Sequence, residues 1–360
     1  MNSIIIYKQS IVKPANPVYS DTHKARENED RIIEMKTNDA CMFGVADGAG
    51  SSGIYCGEWA EMLLTNIPEN PITNCEQLNQ WIQELLPRFY NEYKSKSNDT
   101  IIKNKFQREG SYCSLLIGWL TCHYNSYQLE TILYGDSSLF IFQKDATLKH
   151  IYPYESVNLF KNAPYLISLK ENASQKHFIH KTFDIKPSDI IIAATDGFAN
   201  FLLSQYILFI KNNPDLPIFN QILLEKNMDY VSRTDNKPLL MYDIDFKQLL
   251  NTIKNKLSND ANAFELFVSE LYHQQFLPND DCSVIFIEFH EKSLLNANDP
   301  TTEDKNIDFS EKQEEQISLS IFYNNKWVKE FLDNILSAFP NIIKDQSIVD
   351  IISNYFVISK

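Results

Sequence analysis

The sequence predicts an α+β fold built on antiparallel sheet, on three observations. Apolar runs at residues 112–122, 128–134 and 139–143 follow one another across short polar connections, which suit hairpins and not the long crossovers that parallel strands need. Helical patterning is concentrated elsewhere, over residues 57–94 and again over 198–271. A further apolar strand returns at 283–289, after the second helical block.

Taken in order, residues 3–12 and 31–35 read as strands, and a polar turn at 36–39 leads into the apolar run 41–46. The latter two form a hairpin whose far strand delivers Asp47. Residues 57–64 have helical character, with Trp59, Leu63 and Ile67 able to share one face. A second helix spans 75–94 and carries Leu78, Trp81, Ile82, Leu85 and Leu86, with Pro87 marking a kink or break. Beyond the central strands, 176–183 and 190–194 are strand-like. In the second helical block Phe246, Leu249, Leu250, Ile253 and Leu257 are spaced as one buried stripe, whereas prolines and mixed polarity at 213–242 read as a surface insertion. The expected organisation is a main domain at 1–292, an acidic polar linker at 293–316 and a helical segment at 317–360 that carries Trp327, Phe331, Leu332, Ile335 and Phe339 on a helical repeat.

Composition narrows the class of function. A formal net charge of −14 over 360 residues opposes nonspecific binding to nucleic acid or an anionic membrane, both of which need a basic face. No apolar stretch approaches the ~20 residues of a membrane span. The opening Met1-Asn2-Ser3-Ile4-Ile5-Ile6 lacks a basic n-region and reads as a strand, not a signal peptide. The cysteines, Cys41, Cys56, Cys75, Cys113, Cys122 and Cys282, show no zinc-like spacing and read as reduced, mostly buried thiols of a cytoplasmic protein. Apart from His177 and His180 on a strand edge, the histidines form no pair with metal spacing and read as structural or exposed.

Short acidic motifs are attached to the apolar runs: Asn28-Glu29-Asp30, Asp47-Gly48-Ala49-Gly50, Gly135-Asp136-Ser137, Asp196-Gly197 and Asp280-Asp281. A carboxylate at the end of a buried strand must be solvated, paired or metal-bound, because an isolated charge in apolar surroundings is heavily penalised. Several converging would repel one another unless divalent cations lay between them. Either Asp-Gly pair alone is an ordinary turn sequence; the set and its order carry the information. Gly50-Ser51-Ser52-Gly53 is followed by no Walker lysine and reads as a flexible rim after Asp47.

In order and wording these motifs resemble the metal-dependent protein phosphatase family (PPM, protein phosphatase 2C type), over about residues 20–290 and as a bacterial-like divergent member. The resemblance implies a four-layer α-β-β-α sandwich of two antiparallel sheets flanked by helices, with the metal site in a cleft at one edge. It implies that Asp47 bridges two metals, that Gly48 gives its backbone carbonyl to one of them, and that Glu29 and Asp30 bind directly or through water. Asp196 and Asp280 would hold the other metal, and Asp136 a third, weaker one. The catalytic set is then Asp47, Asp196 and Asp280. The implied activity is that of a protein-serine/threonine phosphatase, hydrolysing phosphoserine and phosphothreonine on a protein substrate through a metal-bridged hydroxide.

Oxygen ligands of this kind suit Mn²⁺ or Mg²⁺, two or three ions, and not zinc. Two ions about 4 Å apart can activate a bridging water and neutralise developing charge, so no covalent phosphoenzyme is needed. Ser51, Ser52 and Ser137 are accordingly turn hydroxyls. The chain departs from the family pattern in three places. Ala49 stands where many eukaryotic members have a histidine, and Ser138 where the central motif usually has arginine. Ala25 occupies the position of the phosphate-anchoring arginine. Arg26, one step on, is the expected phosphate contact, in preference to Lys24, because a guanidinium grips two oxygens at once. A one-residue shift reverses side-chain direction in a strand, so this assignment asks for a bulge.

Two other classes compete. A phosphatase-like domain that works by docking a partner is favoured by the missing arginine, and opposed by the retention of mutually repelling acids. A metal-dependent nuclease would use similar acids but is disfavoured by the net charge and by the lack of a basic, aromatic-laced stretch.

Overall fold

The computed structural model describes residues 2–13, 28–36, 40–96, 98–123, 126–211, 213, 215–234 and 245–291. All lie in the first of two units, Met1–Ser293. The expected linker at 293–316 and helical segment at 317–360 lie outside the described residues, as do Lys24, Ala25 and Arg26.

The strands are β1 (Asn2–Ile11), β2 (Arg31–Lys36), β3 (Ala40–Ala46), β4 (Tyr112–Cys113), β5 (Leu115–His123), β6 (Ser126–Tyr134), β7 (Ser138–Phe142), β8 (Leu148–Tyr152), β9 (Ile167–Ser168), β10 (Ile179–Ile185), β11 (Ile190–Ala194) and β12 (Cys282–Glu291). The helices are α1 (Cys56–Leu64), α2 (Cys75–Tyr93), α3 (Thr100–Glu109), α4 (Asp196–Lys211), α5 (Ile218–Lys226), α6 (Met228–Thr234), α7 (Phe246–Ser258) and α8 (Ala261–His273). One sheet runs β1-β12-β11-β7-β8 and the other β10-β6-β5-β3-β2, with every pairing antiparallel.

Strand alternation sorts the apolar side chains into three cores. Ile141, Ile191 and Ile285 of the first sheet meet Phe43, Val45, Leu116 and Leu129 of the second between the two sheets. Their neighbours Phe140, Phe142, Ile192 and Phe286 point the other way, under Phe198, Leu202 and Tyr206 of α4, Leu249 and Ile253 of α7, and Phe264 of α8. On the far side Ile117, Trp119 and Ile132 pack under Trp59 and Leu63 of α1, Leu78 and Phe89 of α2, and Phe106 of α3. The result is a four-layer α-β-β-α sandwich. Central strands covered on both faces need apolar side chains at almost every position, which is why Ile190–Ala194 is an unbroken apolar run. Each fully buried Phe or Leu contributes roughly 1.5–3 kcal/mol relative to exposure.

Several local expectations need correction. Pro87 neither breaks nor ends α2. Its missing N–H frees only the carbonyl of Gln83, and both residues are exposed on the water side, while Leu85 and Phe89 keep the buried side in register. The described part of 213–242 is not merely a surface insertion. It forms α5 and α6, which send Leu223 and Val231 into the core beneath α4, and buried Asn220 accepts the Tyr206 hydroxyl at 3.1 Å. The run 112–122 is two strands, interrupted at Ser114. The strand expected from 176 begins at Ile179, because a turn bonded to the Ser174 carbonyl occupies His177 and Phe178. The cysteines form no disulfide, and all but the half-buried Cys122 are buried.

Candidate active site

The strand registers bring the acidic motifs to one end of the sandwich. Arg31 pairs with Ala46, Ser138 with Ala194, Ala194 with Val284, and Ile11 with Cys282. The residues just outside these pairs, Asp30, Asp47, Asp136, Asp196 and Asp280, therefore leave the sheets side by side.

Asp47 is fixed through its backbone. Its N–H donates to Ser114 Oγ at 3.2 Å, and the Ser114 N–H donates to its carbonyl at 2.8 Å. This exchange is what interrupts the run at Ser114. Ser114 Oγ in turn lies 2.6 Å from Ser137 Oγ, so Asp47 and the turn that carries Asp136 share one buried hydroxyl pair. Gly48 donates its N–H to the Glu29 carbonyl at 3.2 Å. A Cβ there would stand 2.8 Å from the Glu29 carbonyl oxygen, the Cys56 carbonyl carbon and the Gly57 nitrogen, so the backbone approach requires glycine. Glu29 packs its carboxylate against Gly50, whose N–H donates to the Gly48 carbonyl at 3.0 Å.

Asp30 is buried and accepts the Thr195 hydroxyl at 2.8 Å. Thr195 is itself pinned to β12, accepting the Ser283 N–H at 3.0 Å and donating its own N–H to the Ser283 carbonyl at 3.1 Å. Asp196 follows as the first residue of α4, where the positive end of the helix favours an anion. Asp136 sits after Gly135, whose φ of 109° lies in the left-handed region open to glycine. Ser138, in the usual arginine position, is buried and donates to the Asp136 carbonyl at 3.0 Å. Asp280 accepts the Asp281 N–H at 3.0 Å and the Lys13 ammonium at 3.3 Å. Asp281 is buried and accepts two backbone amides, from Lys13 at 2.8 Å and from Glu29 at 2.9 Å.

The carboxylates sense one another. Burial first, then the charges of Asp30, Asp196, Asp136 and Asp280, push Asp47 well above the usual carboxylate range. Asp30 is likewise pushed well up, by burial and then Asp281 and Asp196, against the opposing Thr195 hydrogen bond. Burial and then Asp196 raise Asp136 to about 7, and burial and then Asp280 raise Asp196 to about 6. Burial also raises Glu29, with Lys13 opposing it. Lys13 beside Asp280 opposes these shifts without cancelling them.

Among the described residues, no three His, Cys, Asp or Glu side chains stand at the mutual spacing of a finished metal-coordination set. The donor chemistry nonetheless fits a hard divalent cation. The side-chain donors are all carboxylate oxygens, and Oδ1 of Asp136 and Oδ1 of Asp196 are buried with no hydrogen-bond partner among the described residues. Oxygens of that kind are costly unless something positive meets them.

The expected Asp30, Asp47, Gly48, Asp136, Asp196 and Asp280 are thus brought together, with Glu29 beside them on the Lys13 and Asp281 side. Arg26 lies outside the described residues. Sequence reasoning missed Lys13, Ser114 and Tyr154, the last raised by burial and then by the charges of Asp136 and Asp196 beside it. Only Lys13 carried a signal, as a lone cation closing the first strand. Ser51 and Ser52 are exposed on the rim, and Ser137 is buried in its turn.

No protein-family model matches the chain, and no curated protein sequence matches it. The serine/threonine phosphatase of S. agalactiae is a similar solved structure, at 11% identity and a TM-score of 0.40 over 79% of this chain and 99% of that one. PstP/Ppp, a serine/threonine phosphatase of Mycobacterium tuberculosis, is similar at 9% identity and a TM-score of 0.40 over 81% and 100%. PppA, a regulatory component of T6SS in Pseudomonas aeruginosa, is similar at 14% identity and a TM-score of 0.39 over 79% and 97%. At these scores the likeness carries neither fold nor chemistry, which rest on the strand registers and the carboxylates. No helix among the described residues is long and apolar enough to cross a membrane.

Proposed function

We propose that the chain is a divergent metal-dependent protein phosphatase that hydrolyses phosphoserine or phosphothreonine on a protein substrate. The observation that carries this reading is the meeting of Asp47, Asp136, Asp196 and Asp280 at one end of the sandwich, with two carboxylate oxygens buried and without a hydrogen-bond partner among the described residues. Asp47, Asp196, Asp280 and the Gly48 carbonyl would hold two Mn²⁺ or Mg²⁺ ions, with Glu29 and Asp30 in support and Asp136 at a further site. When bound, such ions supply water activation at neutral pH and neutralise charge on a transferring phosphoryl group.

The chain's own residues do the positioning. Ser114 fixes the Asp47 backbone from both sides, and Thr195 links Asp30 to β12, the strand that begins just after Asp280. Ala49 offers no proton to a leaving alkoxide, whereas Tyr154, whose hydroxyl is raised, keeps its proton beside Asp136 and Asp196. Arg26 is the proposed phosphate contact. Residues 1–292 form the catalytic domain in this reading.

The Lys13 ion pair with Asp280 favours a second reading, a phosphatase-like domain that docks a partner without turnover. Assays with p-nitrophenyl phosphate and a phosphothreonine peptide, with and without Mn²⁺, separate the two. Mn²⁺-dependent release of phosphate that is lost in Asp47→Asn supports the enzyme. Absence of turnover from folded, Mn²⁺-loaded protein supports the docking module.

A further inference from the structure

Lys13 lies two residues after β1 and sends its side chain to the acid cluster. Its backbone N–H is held by Asp281 Oδ1 at 2.8 Å, which fixes the stem. Its ammonium lies 3.3 Å from Asp280 Oδ1 and 4.0 Å from Asp281 Oδ1. Asp281 already gives one oxygen to the Lys13 amide and the other to the Glu29 amide. Asp280 is the carboxylate with charge left to balance, since among the described residues its Oδ1 accepts, apart from Lys13, only the neighbouring Asp281 amide. The lysine side chain is 19% exposed and the aspartate 45%, so the pair is neither sealed away nor freely hydrated.

We propose that Lys13 is the resident counter-cation of Asp280, and that a divalent ion has to displace it to take Asp280 as a ligand. The inference rests on reading the cluster as a cation site. An ammonium is a compact permanent charge at neutral pH, and one carboxylate oxygen cannot satisfy it and a divalent ion fully at the same time. In the metal-free protein the lysine relieves part of the repulsion that Asp280 exerts on Asp196. Binding at Asp280 is therefore an exchange of cations, and the lysine sets the affinity.

The test is calorimetric titration of MnCl₂ into the full chain as wild type, Lys13→Met and Lys13→Arg. Lys13→Met keeps the apolar stem and removes the charge. It should bind Mn²⁺ about tenfold more tightly, the scale of one partly screened charge pair, and its metal-free form should melt earlier. Lys13→Arg should stay within about twofold of wild type, because the charge is retained. Adding Asp280→Asn should erase the gain. Where circular dichroism shows Lys13→Met to be misfolded, Lys13→Gln takes its place. Mn²⁺ binding by Lys13→Met but not by wild type also supports displacement. Equal or weaker binding by a folded Lys13→Met, or a gain that persists with Asn at 280, overturns the inference alone. Absence of binding in every variant overturns the inference together with the cation-site reading.

Discussion

Asp281 Oδ2 accepts the backbone N–H of Glu29 at 2.9 Å, tying the segment ahead of β2 to the start of β12. Its other oxygen holds Lys13 in the same way at 2.8 Å. Asp281→Asn would turn an NH₂ toward one of these donors. A loss of about 1–3 kcal/mol is expected, the cost of a buried polar group left unmatched. Urea denaturation measures it, and an unchanged midpoint would show the strap to be dispensable.

Gly48→Ala places a Cβ 2.8 Å from three backbone atoms on two segments. None is the end of a flexible side chain, so the Asp47 loop must shift. A destabilisation of about 1–3 kcal/mol is expected from the overpacking, together with loss of Mn²⁺ affinity. Wild-type affinity in a folded variant would remove the Gly48 carbonyl from the ligand set.

Asp47 faces Asp30, Asp136, Asp196 and Asp280, whereas Asp136 answers mainly to Asp196. Asp47→Asn should lower kcat by about 10³-fold or more, because the shared ligand is lost. Asp136→Ala should act more mildly and recover part of its rate at high Mn²⁺. Equal losses in both variants would mean that Asp47 holds no special place.

The raised carboxyls give the metal-free protein a defined pH response. A carboxyl whose folded pKa lies above its unfolded value binds protons more tightly when folded. Its contribution is therefore present at low pH and lost as pH rises through the folded value. For Asp196 and Asp136 that value is about 6 and about 7. The metal-free melting temperature should fall as pH rises from about 4, the unfolded carboxyl value, to these folded values, and the rise on adding Mn²⁺ should grow, since the ion competes with those protons. Thermal melts at several pH values check both slopes.

What was legible in the sequence follows from local physics. The stripe Phe246, Leu249, Leu250, Ile253 and Leu257 is buried throughout because helical spacing alone dictates it. The β2–β3 hairpin and the apolar run of β11 were equally local. Helix α3 was missed because it buries only Phe106 and leaves Ile101 exposed, so its apolar residues mark no clear buried face. β8 was missed because Lys149 and His150 stand side by side between Leu148 and Ile151, which breaks the alternation. The site acids could be found from their motifs, but Lys13 could not be placed, since its partners lie 267 and 268 residues away and the pairing of β1 with β12 joins distant parts of the chain.

In the proposed reading these carboxylates form a divalent-cation site, and Mn²⁺ titration of the folded wild-type chain at neutral pH decides it. At least two ions per chain are expected to bind by millimolar Mn²⁺, with the signal largely lost in Asp47→Asn. Folded protein that takes up no Mn²⁺ or Mg²⁺ at millimolar concentration would contradict both the site and the phosphatase reading.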